Sequence, residues 1–130
     1  MNIAVRYYSR SGNTKAVAEA IAKAAGVSAL SVEQKNAAIT EPADVLFIGG
    51  ALYAYGIDEY LKEFLQALKK EDVKKAVVFS TSWLTKHAID LIKSGLSEAG
   101  IPVADEFFYV RGKPKDTQLK EAAAFAKKFM

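Results

Sequence analysis

Three short polar segments carry the residue types best suited to hold a small ligand. The first, residues 9–14, reads Ser-Arg-Ser-Gly-Asn-Thr and follows an apolar run. Its hydroxyl groups, its glycine and the backbone N–H groups of the helical pattern that follows can cradle an anion such as a phosphate. The same residues also suit an ordinary helix N-cap, and composition alone weighs the two interpretations about equally. Because the segment lacks both the Gly-Lys-Ser/Thr ending of a P-loop and the three glycines of a dinucleotide fingerprint, a monophosphate is favoured.

A second segment places aromatic rings among small residues. Residues 49–56 read Gly-Gly-Ala-Leu-Tyr-Ala-Tyr-Gly and follow a continuous apolar run. An aromatic ring there can stack on a flat ligand, and the glycines let the backbone approach that ligand. Either tyrosine alone is better explained by packing on a neighbouring helix, but the pair between glycines favours a binding site.

A third segment combines hydroxyl groups with the chain's one tryptophan and one histidine. Residues 80–87 read Ser-Thr-Ser-Trp-Leu-Thr-Lys-His. The hydroxyl groups can hydrogen-bond the edge of a heteroaromatic ring. His87 opens a helical pattern, a place where a histidine is more often structural than catalytic. We therefore expect this segment to bind a ligand without supplying an acid, a base or a nucleophile.

Strand and helix patterns alternate along the chain and place these three segments in loops. Apolar runs predict strands over residues 2–8, 28–33, 44–50, 75–81 and 103–110. Helical spacing of apolar residues predicts helices over 13–25, after the N-cap candidate Asp58, over 87–99 and over 117–129, while the connection after the second strand has no clear type. Strict alternation predicts one doubly wound α/β domain over residues 1–130, with a parallel sheet covered on both faces.

Open sheets of this kind bind ligands beyond the carboxyl ends of their strands, where the strand order reverses. In a five-stranded order of 2-1-3-4-5, that point lies between the first and third strands. The three polar segments each follow a strand, so we expect them to meet at this edge of the sheet.

The composition excludes several classes of chemistry. The chain has no Cys and a single His, which excludes disulfides, thiolate catalysis, zinc–thiolate sites and a His-rich metal site. No apolar run is long enough for a transmembrane helix, and the first residues lack a basic signal-peptide region, so we expect a cytoplasmic protein with no membrane span.

The net charge of +3 comes mainly from the two ends of the chain. Because basic and acidic residues are interleaved through most of the chain, we expect no nucleic-acid partner.

Together the three segments resemble the flavodoxin family in its short-chain form, and the resemblance spans essentially the whole chain. Family members bind the phosphate of FMN with [Ser/Thr]-x-[Ser/Thr]-Gly-x-Thr after the first strand, and this chain matches that motif fully. The resemblance implies a three-layer sandwich around a five-stranded parallel sheet in the order 2-1-3-4-5. It also implies phosphate contacts from the first segment: Ser9, Arg10, Ser11, Gly12, Asn13 and Thr14.

The second family loop resembles Gly-x-Pro-Thr-Trp/Tyr-x-x-Gly, whose aromatic residue stacks on the flavin. Tyr53 falls on the aromatic position and Gly56 on the glycine, while Ala51 and Leu52 stand where the family has Pro-Thr. Tyr53 is therefore the first choice for stacking and Tyr55 the second. The resemblance implies that FMN is contacted by this loop: Ala51, Leu52, Tyr53, Ala54, Tyr55 and Gly56. Backbone groups of residues 50–56 are expected to hydrogen-bond the flavin ring.

The third family loop commonly reads Gly-Thr-Gly-Asp and reaches an aromatic residue several positions later. Here residues 80–83 fill the first stretch without the acidic residue, and His87 falls near the later aromatic position. The resemblance implies contacts to the flavin ring from Thr81, Ser82, Trp83 and His87.

The resemblance implies an FMN-dependent electron carrier, a monomer or weak dimer that exchanges electrons with a redox partner protein or a small quinone-like acceptor. Carriers of the family are usually acidic, whereas this chain is basic, and Arg10 and Lys86 lie in the predicted site loops. A cation near bound flavin makes the flavin easier to reduce.

Two alternatives remain open: an FMN-dependent NAD(P)H or quinone oxidoreductase, and a flavodoxin-fold binding module that has lost its flavin. The first is ranked lower because the chain has little room for added nicotinamide-binding loops. A response-regulator receiver is excluded, since the first and third strands end without the carboxylates that its Mg²⁺ and phosphoryl chemistry require.

Overall fold

Five parallel strands form one sheet. The structure, a computed structural model, describes residues 1–53, 56–83 and 85–130. The strands are β1 (Ile3–Tyr7), β2 (Ala29–Ser31), β3 (Val45–Gly50), β4 (Ala76–Ser80) and β5 (Val103–Tyr109). They lie in the order β2-β1-β3-β4-β5, with parallel pairing at every step. The predicted fold class and strand order are confirmed.

Helices cover both faces of the sheet and make the three layers that the sequence predicts. They are α1 (Asn13–Ala25), α2 (Glu59–Ala67), α3 (His87–Glu98) and α4 (Asp116–Lys127). One core cluster joins α1 and α4 to the sheet and the other joins α2 and α3 to its opposite face. The connection after β2, left without a type by the sequence, contains a 3₁₀ turn over Lys35–Ala37.

The central strands β3 and β4 are buried along their whole length, as their continuous apolar runs predict. Side chains alternate between the two faces of β3, so Phe47 packs in the α1–α4 cluster and Leu46 in the α2–α3 cluster. At the end of β3, Gly49 lies opposite Phe79 of β4. A Cβ on Gly49 would lie 2.3 Å from two ring atoms of Phe79. This glycine is therefore required by the packing of the sheet that carries the loops.

The helix ends follow the sequence signals. Gly26 terminates α1 with φ of 72° and its N–H bonds back to the last turn, and Asp58 caps α2 by accepting from the N–H of Tyr60. Helix α4 ends at Lys127, two residues before the predicted end at residue 129, and buries Phe125. Within the described part of the chain, no helix combines the length and apolar character needed to cross a bilayer.

Candidate cofactor-binding site

The loops after β1, β3 and β4 meet around a cavity of about 450 Å³ at the carboxyl edge of the sheet. This volume lies within the usual range for small-molecule sites. The hydroxyl oxygens of Thr14 and Thr81 lie 2.7 Å apart and are both buried, which joins the first loop to the third. The described lining residues are Arg10, Ser11, Asn13, Thr14, Ala51, Leu52, Tyr53, Thr81, Ser82, Trp83 and Thr85.

The start of α1 presents backbone N–H groups with no acceptor in the helix. Gly12 precedes the helix with φ of 92°, a left-handed value that favours glycine, and its N–H donates to Oγ of Ser9 at 3.0 Å. Among the described residues, no side chain caps this helix end, and its first turn contains no acid. The N–H groups of residues 13–15 lack intrahelical acceptors by helix geometry, and that of Asn13 reaches only Oγ of Ser11, at 3.5 Å. An anion placed here would meet several unshared donors and the positive end of the helix dipole.

Arg10 reaches across the cavity from the first loop to the second. Its Nη2 donates to Oδ1 of Asp58 at 3.0 Å, and its guanidinium carbon lies 3.8 Å from the centre of the Tyr53 ring. Hydrogen bonding to Tyr8 and Asp58 holds the pKa of Arg10 above its ordinary value, so this side chain stays charged. Because the Asp58 carboxylate partly neutralises that charge, the electrostatic field of Arg10 at the cavity is weaker than the sequence alone suggests.

Tyr53 lies half-buried between the first and second loops. Its ring meets the edge of Tyr8 at 6.2 Å between centroids, in a T-shaped contact. Burial raises the pKa of the Tyr53 phenol, and the neighbouring Arg10 partly offsets that effect. The tyrosine is therefore neutral at physiological pH and offers an apolar ring, one face of which Arg10 covers in this structure.

The backbone of the second loop is already hydrogen-bonded at three amides. Tyr53 and Gly56 exchange bonds of 2.7 and 3.1 Å, and the N–H of Leu52 donates to Oγ of Ser82 at 2.8 Å. Gly56 has φ of 106°, a left-handed value that favours glycine. These amides are not free to make the expected hydrogen bonds to a flavin ring, so such a bond requires the loop to rearrange.

Some predicted site residues lie outside the cavity lining. Ser9 and Gly12 belong to the first loop and hydrogen-bond each other there. Gly56 and His87 instead line a groove of about 810 Å³ between α2 and α3, and His87 Nδ1 lies 3.9 Å from Oδ2 of Asp90. The predicted contacts at Ala54 and Tyr55 lie outside the described residues.

The structure adds Thr85 and Asp58 to the site region. Thr85 lines the cavity, and the signal for it was one more hydroxyl residue in the third segment. Asp58 was predictable as a helix N-cap, but its pairing with Arg10 joins residues 48 positions apart and has no local signal.

The carboxylate of Asp58 caps helix α2 and pairs with Arg10, and two substitutions of Asp58 separate these roles. Because its Oδ2 accepts from the N–H of Tyr60 at 2.8 Å, Asp58→Ala is expected to lower the free energy of unfolding by about 1–2 kcal/mol. Asp58→Asn keeps a good N-cap and loses only the pair with the half-exposed Arg10, so its cost is expected to stay below about 1 kcal/mol. Urea unfolding of both variants measures the difference. Equal losses in the two variants would contradict this division of roles.

Comparisons with known proteins agree with this fold. A family model described as a flavodoxin domain matches residues 4–129, while the comparison with curated protein sequences returns no match. Among solved structures, a flavodoxin from the domain Archaea is 24% identical, with 99% of this chain and 96% of that chain covered at a TM-score of 0.77. Flavodoxin 1 from Bacillus cereus, in its oxidised form, is 22% identical, with 99% and 97% covered at a TM-score of 0.84.

A similar fold also occurs inside a larger enzyme. The rubredoxin oxygen:oxidoreductase of Desulfovibrio gigas is 16% identical, and the match covers 98% of this chain but 35% of that chain, at a TM-score of 0.86. At these identities the structural likenesses establish the fold.

Proposed function

Since the chain belongs to the flavodoxin domain family, we propose that it binds FMN in the cavity between Tyr53 and Trp83 and carries electrons between redox partners. The observation that carries this proposal is the start of α1. An uncapped helix end at the cavity is suited to the phosphate of FMN and has no equally good use for a neutral ligand.

The donor set fits FMN at both of its ends. The N–H groups of residues 13–15 and the hydroxyl of Ser11 would hold the phosphate. Thr81, Ser82 and Thr85 offer hydroxyl groups along the cavity, and Tyr53 and Trp83 offer aromatic surfaces for a flat ring. A ring stacked on the face of Tyr53 that Arg10 now covers must displace that guanidinium, which its long and half-exposed side chain permits.

The cavity itself is poor in groups that do acid–base or nucleophilic chemistry. Among its described lining residues, only Arg10 and Tyr53 titrate, and neither changes charge near neutral pH. When bound, FMN supplies the redox chemistry, and the protein binds it, orients its ring and sets the charge around it. A site of this kind favours an electron carrier over a stand-alone oxidoreductase.

The proposed partners are a redox protein or a small quinone-like acceptor. We propose that the chain exchanges electrons with them in the cytoplasm. The basic ends of the chain argue against docking in the manner of an acidic carrier. Arg111 and Lys113, both exposed in the turn after β5, place part of this positive charge beside Trp83.

Titration with FMN tests the proposal directly. We expect the purified protein to be yellow or to become yellow on FMN addition, with FMN fluorescence quenched at a Kd of about 1 µM or tighter. Riboflavin, which lacks the phosphate, is the matched ligand control and should bind at least about 100-fold more weakly. An absence of FMN uptake at micromolar concentrations would defeat the proposal.

Reduction kinetics separate the carrier from the alternative oxidoreductase. As a carrier, the FMN-loaded protein should be bleached by a reductase protein together with NADPH and remain oxidised with NADPH alone over the same time in a stopped-flow measurement. Rapid bleaching by NADPH alone would instead identify a nicotinamide-dependent oxidoreductase.

A further inference from the structure

Residues 109–112, which are the last residue of β5 and the turn that follows it, contact the end of β4 and the third loop of the cavity at four points. The carbonyl oxygens of Ser80, Ser82 and Trp83 each accept a hydrogen bond from this segment. The donors are the N–H of Val110 at 3.0 Å, the hydroxyl of Tyr109, and Nε of Arg111 at 2.9 Å, in that order. The fourth contact is made by the indole ring of Trp83, which lies against Gly112.

The contact between Gly112 and Trp83 requires the absence of a side chain. A Cβ built on Gly112 would lie 2.5 Å from Cε2, Cζ2 and Cη2 of the indole, closer than real contacts allow. The six-membered part of the indole therefore lies over the Gly112 backbone. Gly112 also has φ of 73°, so glycine is favoured there for the backbone conformation as well.

Trp83 remains 63% exposed although its loop is held at four points. An aromatic ring that is held in place and open to solvent can serve as a preformed surface on which a flat ligand stacks. Trp83 lines the 450 Å³ cavity, as does Tyr53. The two aromatic walls differ, because the guanidinium of Arg10 covers one face of Tyr53 at 3.8 Å.

From these contacts we propose that the segment of residues 109–112 is a fourth part of the cofactor site and holds Trp83 as the preformed wall for the flavin ring. Arg111 and Gly112 act as positioning residues: they do not touch FMN, and they set the place and tilt of the indole. Stacking on a ring that is already fixed avoids the cost of ordering it on binding. This inference rests on the proposed binding of FMN.

The chain offers an internal reporter and a matched control for this role. Trp83 is its one tryptophan, so intrinsic fluorescence reports on this ring even without FMN. Gly26 has φ of 72°, almost the value of Gly112, but a Cβ there meets nothing within 4 Å. Gly26→Ala and Gly112→Ala therefore impose the same backbone strain, and only the second displaces the indole.

In the protein without FMN, Gly112→Ala is expected to lower the anisotropy of Trp83 fluorescence and shift its emission to the red, while Gly26→Ala leaves both unchanged. Loss of ring stacking is expected to weaken FMN binding about tenfold in Gly112→Ala, equivalent to about 1.4 kcal/mol. Riboflavin should weaken by the same factor, because the wall acts on the ring and not on the phosphate. Gly26→Ala should bind both ligands as the parent protein does.

Arg111 variants separate the hydrogen bond from the charge. Arg111→Ala and Arg111→Lys both lose the Nε donor to Trp83, so both should lower the anisotropy and weaken FMN binding roughly threefold. Lys113→Ala removes a neighbouring exposed cation and should leave Trp83 fluorescence unchanged. If Arg111→Lys matches the parent protein while Arg111→Ala does not, the Arg111 contact acts only through charge and its positioning role is overturned.

The outcomes distinguish this inference from the function on which it rests. Unchanged anisotropy in Gly112→Ala would show that the turn does not fix the indole. Lowered anisotropy with FMN affinity equal to that of Gly26→Ala would show that Trp83 is not a wall of the site and would assign its exposed ring to a protein partner instead. A parent protein that takes up no FMN would overturn the proposed function, and with it the flavin role of Trp83, whatever the anisotropy shows.

Discussion

Replacing Ser11 by Asp is expected to weaken FMN binding about 100-fold or more. The new carboxylate would lie beside the uncapped start of α1, where the FMN phosphate is proposed to bind. A single negative charge about 5 Å from a phosphate dianion costs about 3 kcal/mol at an effective dielectric constant of about 40, and each 1.4 kcal/mol is tenfold in affinity. FMN fluorescence quenching measures the change.

The same substitution should leave the fold as stable as before or make it more stable. A carboxylate near a helix N-terminus typically adds about 0.3–1 kcal/mol, since it interacts with the unshared N–H groups and the helix dipole. Stability and FMN affinity are therefore expected to move in opposite directions, which a general disturbance of the loop would not produce.

Two controls make the Ser11→Asp result specific. Riboflavin has no phosphate, so its weak binding should change little. Ser28→Asp adds the same charge at an exposed residue before β2, at the opposite edge of the sheet, and should leave FMN affinity near that of the parent protein. Equal losses for FMN and riboflavin in Ser11→Asp would show that the start of α1 does not bind the phosphate.

The fold was predictable because its signals are local. Alternating strand and helix patterns, the continuous apolar run of β3 and the glycine after α1 each act within a few residues, and each is confirmed. The strand order came from the family resemblance. The least regular elements were the least predictable: β2 is only three residues long, and the turn at Lys35–Ala37 lies in a polar connection with little apolar pattern.

The site was predictable as three loops but not as a set of contacts. Arg10 and Asp58 are 48 residues apart, and Thr14 and Thr81 are 67 apart, so their pairing depends on how the strands are ordered and not on any nearby residues. A single glycine after a strand is common, so no local pattern indicates that Gly112 contacts Trp83. Only the three-dimensional packing shows that its missing side chain makes room for Trp83.

The glycines that end β3 have a packing role that the sequence alone does not indicate. In the sequence, Gly49 and Gly50 suggested backbone that approaches a ligand. In the structure both lie within the buried strand, where a Cβ would meet Phe79 and Leu61 respectively. Because of this packing, we expect a side chain added at Gly49 to lower the stability of the fold strongly.

Gly49→Ala is expected to lower the free energy of unfolding by about 3 kcal/mol or more. Its Cβ would lie 2.3 Å from two ring atoms of Phe79 and 2.6 Å from the carbonyl oxygen of Phe79, in a core that cannot expand cheaply. The gain from restricting a glycine in the unfolded chain, about 0.5–1 kcal/mol, offsets only part of this cost. For a chain of this size we expect the midpoint of thermal unfolding to fall by about 10 °C.

Gly50→Ala is the matched comparison at the next position of the same strand. There the new Cβ would meet Cδ2 of Leu61 at 2.5 Å, the far end of a side chain that can change rotamer, so the expected loss is about 1 kcal/mol. Urea unfolding of the two variants without FMN gives the comparison.

A second-site change tests why Gly49→Ala is the worse of the two. Phe79→Leu removes the aromatic ring but leaves the Phe79 carbonyl oxygen where it is, so it should rescue Gly49→Ala only in part. Leu61→Val removes the obstructing methyl group, so Gly50→Ala should be nearly neutral when it is added to the Leu61→Val variant. Full rescue of Gly49→Ala by Phe79→Leu would show that the ring alone excludes a side chain. Equal losses in the two glycine variants would mean that the close approach of β3 to β4 is not what fixes the edge of the sheet beneath the cofactor loops.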